Sequence, residues 1–265
     1  MIITITSKDN EKVKLTKSLL KSKNRNKESK FLIEGFRIMT QAIDCGADLQ
    51  YVFINENFEN KKEHIDFLKV LESKNITIYK TTNKIFSDFI DTENTQGIVG
   101  VVGIKENKIE EILNDDCRFV LILDRIQDPG NMGTIIRTAD AAGVDAIINL
   151  KGCVDIYNSK VTRSTMGSIF DMKIINMNQE DALKELKIRK FDIVSSYLNT
   201  DNFYDKVEYN YKTALIIGNE ANGVNDELIK ESDTLVKIPI YGKAESLNAA
   251  ISSAILMYEI KKYMV

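Results

Sequence analysis

The sequence predicts a two-part α/β protein whose second half is a mostly parallel sheet with helices on both faces. Three observations carry this. Short apolar runs such as RFVLILD, DAIINL and TALIIG lack period-two alternation, as strands buried on both faces do. Stretches of helical character separate those runs along the chain. A length of 265 residues with 43% apolar content is comfortable for two packed units.

The elements follow in order. Residues 8 to 22 have helical character, with Leu15 and Leu19 four apart. FLIEG reads as a strand and FRIMTQAIDCG as a helix closed by Gly46. LQYVFIN, ITIY and GIVGVVG read as strands, with helices over 60–73 and TNKIFSDFI between them. This makes residues 1–103 a small α/β sandwich in their own right. The charged segment 104–116 is the expected linker, and residues 117–265 form the second domain. There RFVLILD, DAIINL, MKIINM, FDIVSSY, TALIIG and TLVKIP are the expected strands. NMGTIIRTADAAG, NSKVTRSTMGSIF, 179–189, NDELIKES and a long stretch from Ser246 to Tyr263 are the expected helices.

Composition narrows the function classes. The formal net charge is −3, so the chain as a whole is not a basic nucleic-acid binder. Its first thirty residues nevertheless hold nine Lys or Arg against three acids. From charge alone a solvated helix face is the first reading, and a surface that follows a phosphate backbone the second. Lys14, Lys17, Lys21, Lys23 and Arg25 are the candidates for phosphate contact. Three scattered cysteines, Cys45, Cys117 and Cys153, fit neither a disulfide framework nor a metal site and point to reduced thiols in the cytoplasm. No apolar run is long enough to cross a bilayer, and the N-terminus lacks the apolar core of a signal peptide. The single histidine, His64, reads as a surface helix residue, and no His-based triad is available.

Chemistry concentrates in three strand ends of the second half, where parallel sheets bind ligands. RFVLILD runs into RIQDPGNMG, TALIIG into NEANGV, and TLVKIP into IYGKAESLN. In the first loop Pro129–Gly130 forces a turn, Asn131 suits a helix cap, and Arg137 follows six residues later, able to grip a phosphate bidentately. Helix-start N–H groups there would favour an anion. No Walker lysine follows. In the second loop two glycines flank Glu220, and Gly218 allows close backbone approach to a ligand. In the third, Ser246 and Asn248 stand where a helix cap is expected.

Together N-x-G-x-x-x-R-T (Asn131 to Thr138), G-x-E-x-x-G (Gly218 to Gly223) and I-P-x-x-G-x-x-x-S-L-N (Ile238 to Asn248) resemble the three motifs of the SpoU/TrmH branch of the SPOUT RNA methyltransferases, in family order. Ala250 stands where many members have serine. The stretch KSKNRNKESKFLIEGFRIMTQA resembles the L30e-like substrate-binding domain that precedes many of these enzymes. The resemblance implies a trefoil-knotted second domain, a homodimer, and S-adenosyl-methionine contacted by Gly218, Ile238 and Leu247. It implies methyl transfer to a ribose 2′-hydroxyl of RNA, with Arg137, Asn131, Glu220, Ser246 and Asn248 in the catalytic set and no metal. An L30e-like domain favours 23S ribosomal RNA over transfer RNA as substrate. A transfer-RNA 2′-O-methyltransferase, or a non-catalytic RNA-binding or ribosome-assembly factor of the same fold, is the alternative.

Overall fold

The computed structural model describes residues 2–90, 92 and 95–264. In chain order the first elements are β1 (Ile2–Ile5), α1 (Glu11–Ser18), α2 (Ser22–Glu28), β2 (Lys30–Glu34), α3 (Phe36–Asp44), β3 (Leu49–Ile54), α4 (Lys62–Ser73), β4 (Thr77–Thr81), α5 (Asn83–Phe86) and β5 (Ile98–Gly103). Then come α6 (Ile109–Ile112), β6 (Phe119–Leu123), α7 (Pro129–Ala141), β7 (Ala146–Leu150), α8 (Ser159–Ser164), β8 (Ile174–Met177), α9 (Gln179–Ile188), β9 (Asp192–Ser196), β10 (Thr213–Ile217), α10 (Asp226–Lys230), β11 (Thr234–Val236) and α11 (Ala249–Lys261). They form two compact units, Met1–Glu106 with Asp155–Phe170, and Asn107–Val154 with Asp171–Val265. The segment carrying α8 therefore packs with the first unit although its sequence lies in the second half.

The first unit holds a mixed sheet ordered β1-β4-β3-β5-β2. β1 and β3 run parallel to β4, while β5 is antiparallel to both β3 and β2. Side chains alternate across this sheet, as the strand period requires. Ile33, Val52, Ile54 and Ile78 go to one core with Met39, Leu68 and Leu71; Leu32, Tyr51, Phe53 and Val101 go to another with Val13, Ile85 and Phe89. β1 was not foreseen. It is an edge strand with Ile2 and Ile3 partly exposed, so its short apolar run shows no buried periodicity and its state is set by pairing with β4. The helical stretch foreseen over 8–22 ends at Ser18, whose hydroxyl bonds back to the Leu15 carbonyl, and a new helix starts at Ser22. His64 is buried rather than on the surface. Its ring stacks on Phe58 at 4.3 Å, and Nδ1 lies 2.8 Å from the Phe58 carbonyl.

The second unit is an all-parallel sheet ordered β11-β9-β10-β6-β7-β8. Val120, Ile122, Ala146, Ile148, Ala214 and Ile216 face one core with Leu186 of α9 and Leu228 of α10. The intervening residues are also buried, which is why the strands read as continuous apolar runs. α7 and α11 pack against each other, and α11 packs on β10. α8 is shorter than the stretch expected to be helical, because Met166 and Gly167 take positive φ and end it. Among the described residues no helix is long and apolar enough to cross a membrane.

Candidate active site

From β6 the chain winds outward through β7 to β8, then crosses to β9 and returns to β10 beside β6. The reversal leaves a crevice past the carboxyl ends of β6 and β10, the ordinary place for a ligand in such a sheet. The loops after β6, β10 and β11 surround it.

The first loop enters α7 by a route the sequence did not disclose. Asp128, not Asn131, caps the helix: its carboxylate accepts the Asn131 N–H at 2.8 Å, and Pro129 takes the first helical position. Proline suits that position because its φ is helical and its missing N–H is not needed there. The carboxylate already occupies the positive helix end, so this terminus is not a phosphate cradle.

Displaced from the cap, the Asn131 side chain points into the crevice. Its Nδ2 donates to Glu220 Oε1 at 3.0 Å, and its Oδ1 accepts from Asn248 Nδ2 at 2.9 Å. Asn248 caps α11 at the same time, its Oδ1 accepting the N–H groups of Ala250 and Ile251 at 2.9 and 3.3 Å. Both heavy atoms of each carboxamide are thus engaged, and three side chains from three loops share one orientation. α11 begins at Ala249, three residues later than the expected start at Ser246.

The second loop is a closed backbone turn. Asn219 and Gly223 exchange N–H···O bonds of 3.0 and 2.9 Å. A Cβ on Gly218 would lie 2.2 Å from the Gly223 carbonyl carbon, so glycine is needed there for the loop to close on itself. The main chain of Gly218 remains at the cavity wall. Asn219 Oδ1 accepts the N–H groups of Ala221 and Asn222, both at 3.0 Å. Asp124, Arg125 and Asn219 tie this loop to the first one and were missed, because nothing in a D-R or G-N-E string shows which strand ends become neighbours.

A cavity of about 540 Å³ opens beside these loops. Gly218, Ile238, Ser246 and Leu247 line it, with Glu220 at its edge, and Ile217, Val224 and Leu256 add apolar wall. A further wall, Ser196 to Asn199 at the carboxyl end of β9, had no sequence signal. The volume and mixed lining suit a nucleoside-sized ligand.

Arg137 does not join the network. It lies about a third of a turn around α7 from Asn131, exposed, with no hydrogen bond or ion pair among the described residues. In the first unit Lys21 and Lys23 are exposed, while Lys14 and Lys17 are exposed but face Asp9 and Asp88. Arg25 is not available to a phosphate. It is 5% exposed, gives Nη1 to the carbonyls of Leu19 and Leu20, and grips Asp155 through Nε and Nη2. Burial pushes the Cys153 thiol up to about 11 and the Cys117 thiol to about 12, so neither is a nucleophile at neutral pH. Among the described residues no group of three or more His, Cys, Asp or Glu could hold a metal ion.

Similarity to known proteins agrees with this geometry. Residues 10–100 match the MRM3-like substrate binding domain and residues 118–258 the SpoU rRNA Methylase family. The chain is 35% identical over 257 residues to the 23S rRNA (guanosine(2553)-2'-O)-methyltransferase RlmP of Bacillus subtilis, covering 97% of this chain and 98% of that one. An AdoMet-bound rRNA methyltransferase from Sinorhizobium meliloti superimposes with a TM-score of 0.87 at 29% identity, over 100% of this chain and 99% of that one. An RNA 2'-O ribose methyltransferase gives 0.83 at 26% identity, over 98% and 99%. With a match through all three loops of the crevice and a relative aligned over nearly its whole length, the chain belongs to the SpoU rRNA methylase family.

Proposed function

We propose that this protein is an S-adenosyl-methionine-dependent RNA methyltransferase that methylates a ribose 2′-hydroxyl of 23S ribosomal RNA. One observation carries the reading: Asn131, Glu220 and Asn248, far apart in sequence, are hydrogen-bonded to one another, and Glu220 of that network lines a nucleoside-sized cavity. Bound S-adenosyl-methionine supplies an activated methyl group on a sulfonium. The chain's own work is binding, alignment and exclusion of water. Ile238 and Leu247 offer an apolar wall for the adenine, and Gly218, having no side chain, lines the cavity with its main chain. Ser246 and the Asn131 and Asn248 carboxamides hold the ribose, with Glu220 fixing the amide of Asn131. A guanidinium is not a useful base, so Arg137 serves as a fixed charge that holds an RNA phosphate and stabilises the negative charge developing on the 2′-oxygen.

The remaining assignments belong to the same proposal. Residues 1–103 are the RNA-binding domain, 104–116 the linker and 117–265 the methyltransferase domain, knotted as the resemblance implies. Lys14, Lys17, Lys21 and Lys23 form its phosphate-contacting surface. The protein works in the cytoplasm as a homodimer. The dimer is supported by α11, whose Ile251 and Tyr258, seven residues apart on one stripe, are each 52% exposed. The test is transfer of a radiolabelled methyl group to ribosomal RNA, followed by mapping of 2′-O-methyl sites with and without the protein. Absence of both cofactor binding by calorimetry and any protein-dependent site would favour a non-catalytic RNA-binding factor.

A further inference from the structure

Arg125 is the second residue past β6, after Asp124, and its backbone is left-handed, with φ of 56°. Such positions ordinarily go to glycine or asparagine, because a Cβ crowds the following carbonyl. A strained long side chain is kept where its surroundings hold it. Here the surroundings are specific. Arg125 Nε and Nη2 each reach one oxygen of the Asp124 carboxylate at 2.9 Å, a bidentate pair. Nη2 also donates to the Gly223 carbonyl at 3.2 Å. The Arg125 carbonyl accepts from Asn219 Nδ2 at 2.8 Å, and Asp124 Oδ2, on a residue 3% exposed, accepts the Asn225 N–H at 2.8 Å. The loop after β10 is therefore gripped at three points, Asn219, Gly223 and Asn225, by two consecutive residues of the loop after β6. Gly152 leaves room for the grip, since a Cβ there would lie 3.1 Å from Arg125 Cγ.

We propose that Asp124 and Arg125 are positioning residues: a clamp that holds the Gly218–Val224 loop closed in the shape that lines the cofactor cavity and presents Glu220 to Asn131. The left-handed backbone belongs to the device. It turns the Arg125 side chain back over Asp124 while the Arg125 carbonyl meets Asn219. Lysine could make one of the guanidinium contacts but not the fork. The clamp's consequence for the cofactor rests on the methyltransferase reading above; its consequence for the loop does not.

The deciding variant is Arg125→Gly, which relieves the backbone, removes the contact to Gly223 and leaves Asp124 without the guanidinium that holds it, so the grip on Asn225 loosens too. In amide hydrogen exchange of the ligand-free protein, peptides covering 217–226 are expected to exchange at least about tenfold faster, with the rest of the second unit unchanged. S-adenosyl-methionine KM is expected to rise at least about fivefold while kcat at saturating cofactor stays within about threefold, because bound ligand re-forms the loop. Arg125→Lys should recover part of both effects. A residue that only stabilises the fold would lower kcat through the folded fraction and leave KM alone. Unchanged exchange over 217–226 in Arg125→Gly overturns the clamp whatever the activity. Faster exchange in a protein whose wild type binds no S-adenosyl-methionine upholds the clamp and overturns the activity.

Discussion

Two regions of this molecule each contain an arginine with a sequence context suggesting contact with RNA, and the structure treats them in opposite ways. Around α2, Arg25 is sealed: two main-chain carbonyls and one carboxylate take its Nε and both terminal nitrogens, and it is nearly without exposure. On α7, Arg137 stands exposed with no partner among the described residues. A guanidinium whose donors are satisfied internally is part of the fold. One that the fold leaves exposed and unpaired, on the helix that also carries Asn131, is available to a ligand. The difference teaches that local charge density is a poor guide to function, and that the destination of each donor is a better one.

The sharpest break of this comparison is Arg137→Ala. Methyl transfer should fall by about two to three orders of magnitude, with cofactor affinity unchanged in calorimetry. Turnover near that of wild type would remove Arg137 from the chemistry. Next comes Arg25→Ala, expected to cost about 3 kcal/mol of stability in chemical denaturation, because it leaves the half-buried Asp155 carboxylate without its charged partner. Steady-state turnover of the folded fraction should be retained, and a specific loss of RNA affinity would return Arg25 to the binding surface.

The same pair predicts a pH dependence. Burial alone would raise the Asp155 carboxyl, but hydrogen bonds from Ser22 and Arg25 outweigh it and hold the group below its ordinary value of 3.8. A depressed folded-state value stabilises the protein above the unfolded value and loses that contribution as pH falls through the folded one. The stability gap between wild type and Arg25→Ala should therefore be full at neutral pH and shrink below about pH 4. A gap that stays constant into acid would mean that the Arg25–Asp155 contact carries little of the stability.

Smaller effects sharpen the picture. Asn248→Ala removes a helix cap and should cost about 1 kcal/mol in stability. It should also lower kcat, since Asn131 loses one of its two fixed partners. Asn248→Asp keeps the cap but cannot donate to Asn131, so stability without activity would separate the two roles. Smallest is Lys21→Ala, expected to weaken RNA binding and reduce the salt slope by about one. An unchanged slope would leave the exposed lysines of the first unit without a phosphate role.

Much of the architecture was legible in the sequence, for a physical reason. Strands buried on both faces must be apolar throughout, so β6, β7 and β10 announce themselves. Turns that require special backbone angles need Gly, Pro or Asn, so the three corners do as well. β1 was not legible, since an edge strand with two exposed isoleucines carries no buried period. At the site the membership of Asn131, Glu220 and Asn248 could be expected, but not the cap. Asp128 and Asn131 are both good caps, and only the placement of Pro129 at the first helical position decides between them. Arg25 was misjudged because its acidic partner lies 130 positions later.

What the sequence determined by itself is thus local and periodic: where elements begin, which faces are apolar, and which corners need unusual backbone. What only the tertiary structure decided is pairing: which strand end stands beside which, that Asp124 and Arg125 grip the loop after β10, and that Arg25 is buried while Arg137 is not. Pairing depends on contacts across a hundred residues of chain, and a hydrogen-bond donor has no way to record in its own sequence neighbourhood which distant acceptor will reach it.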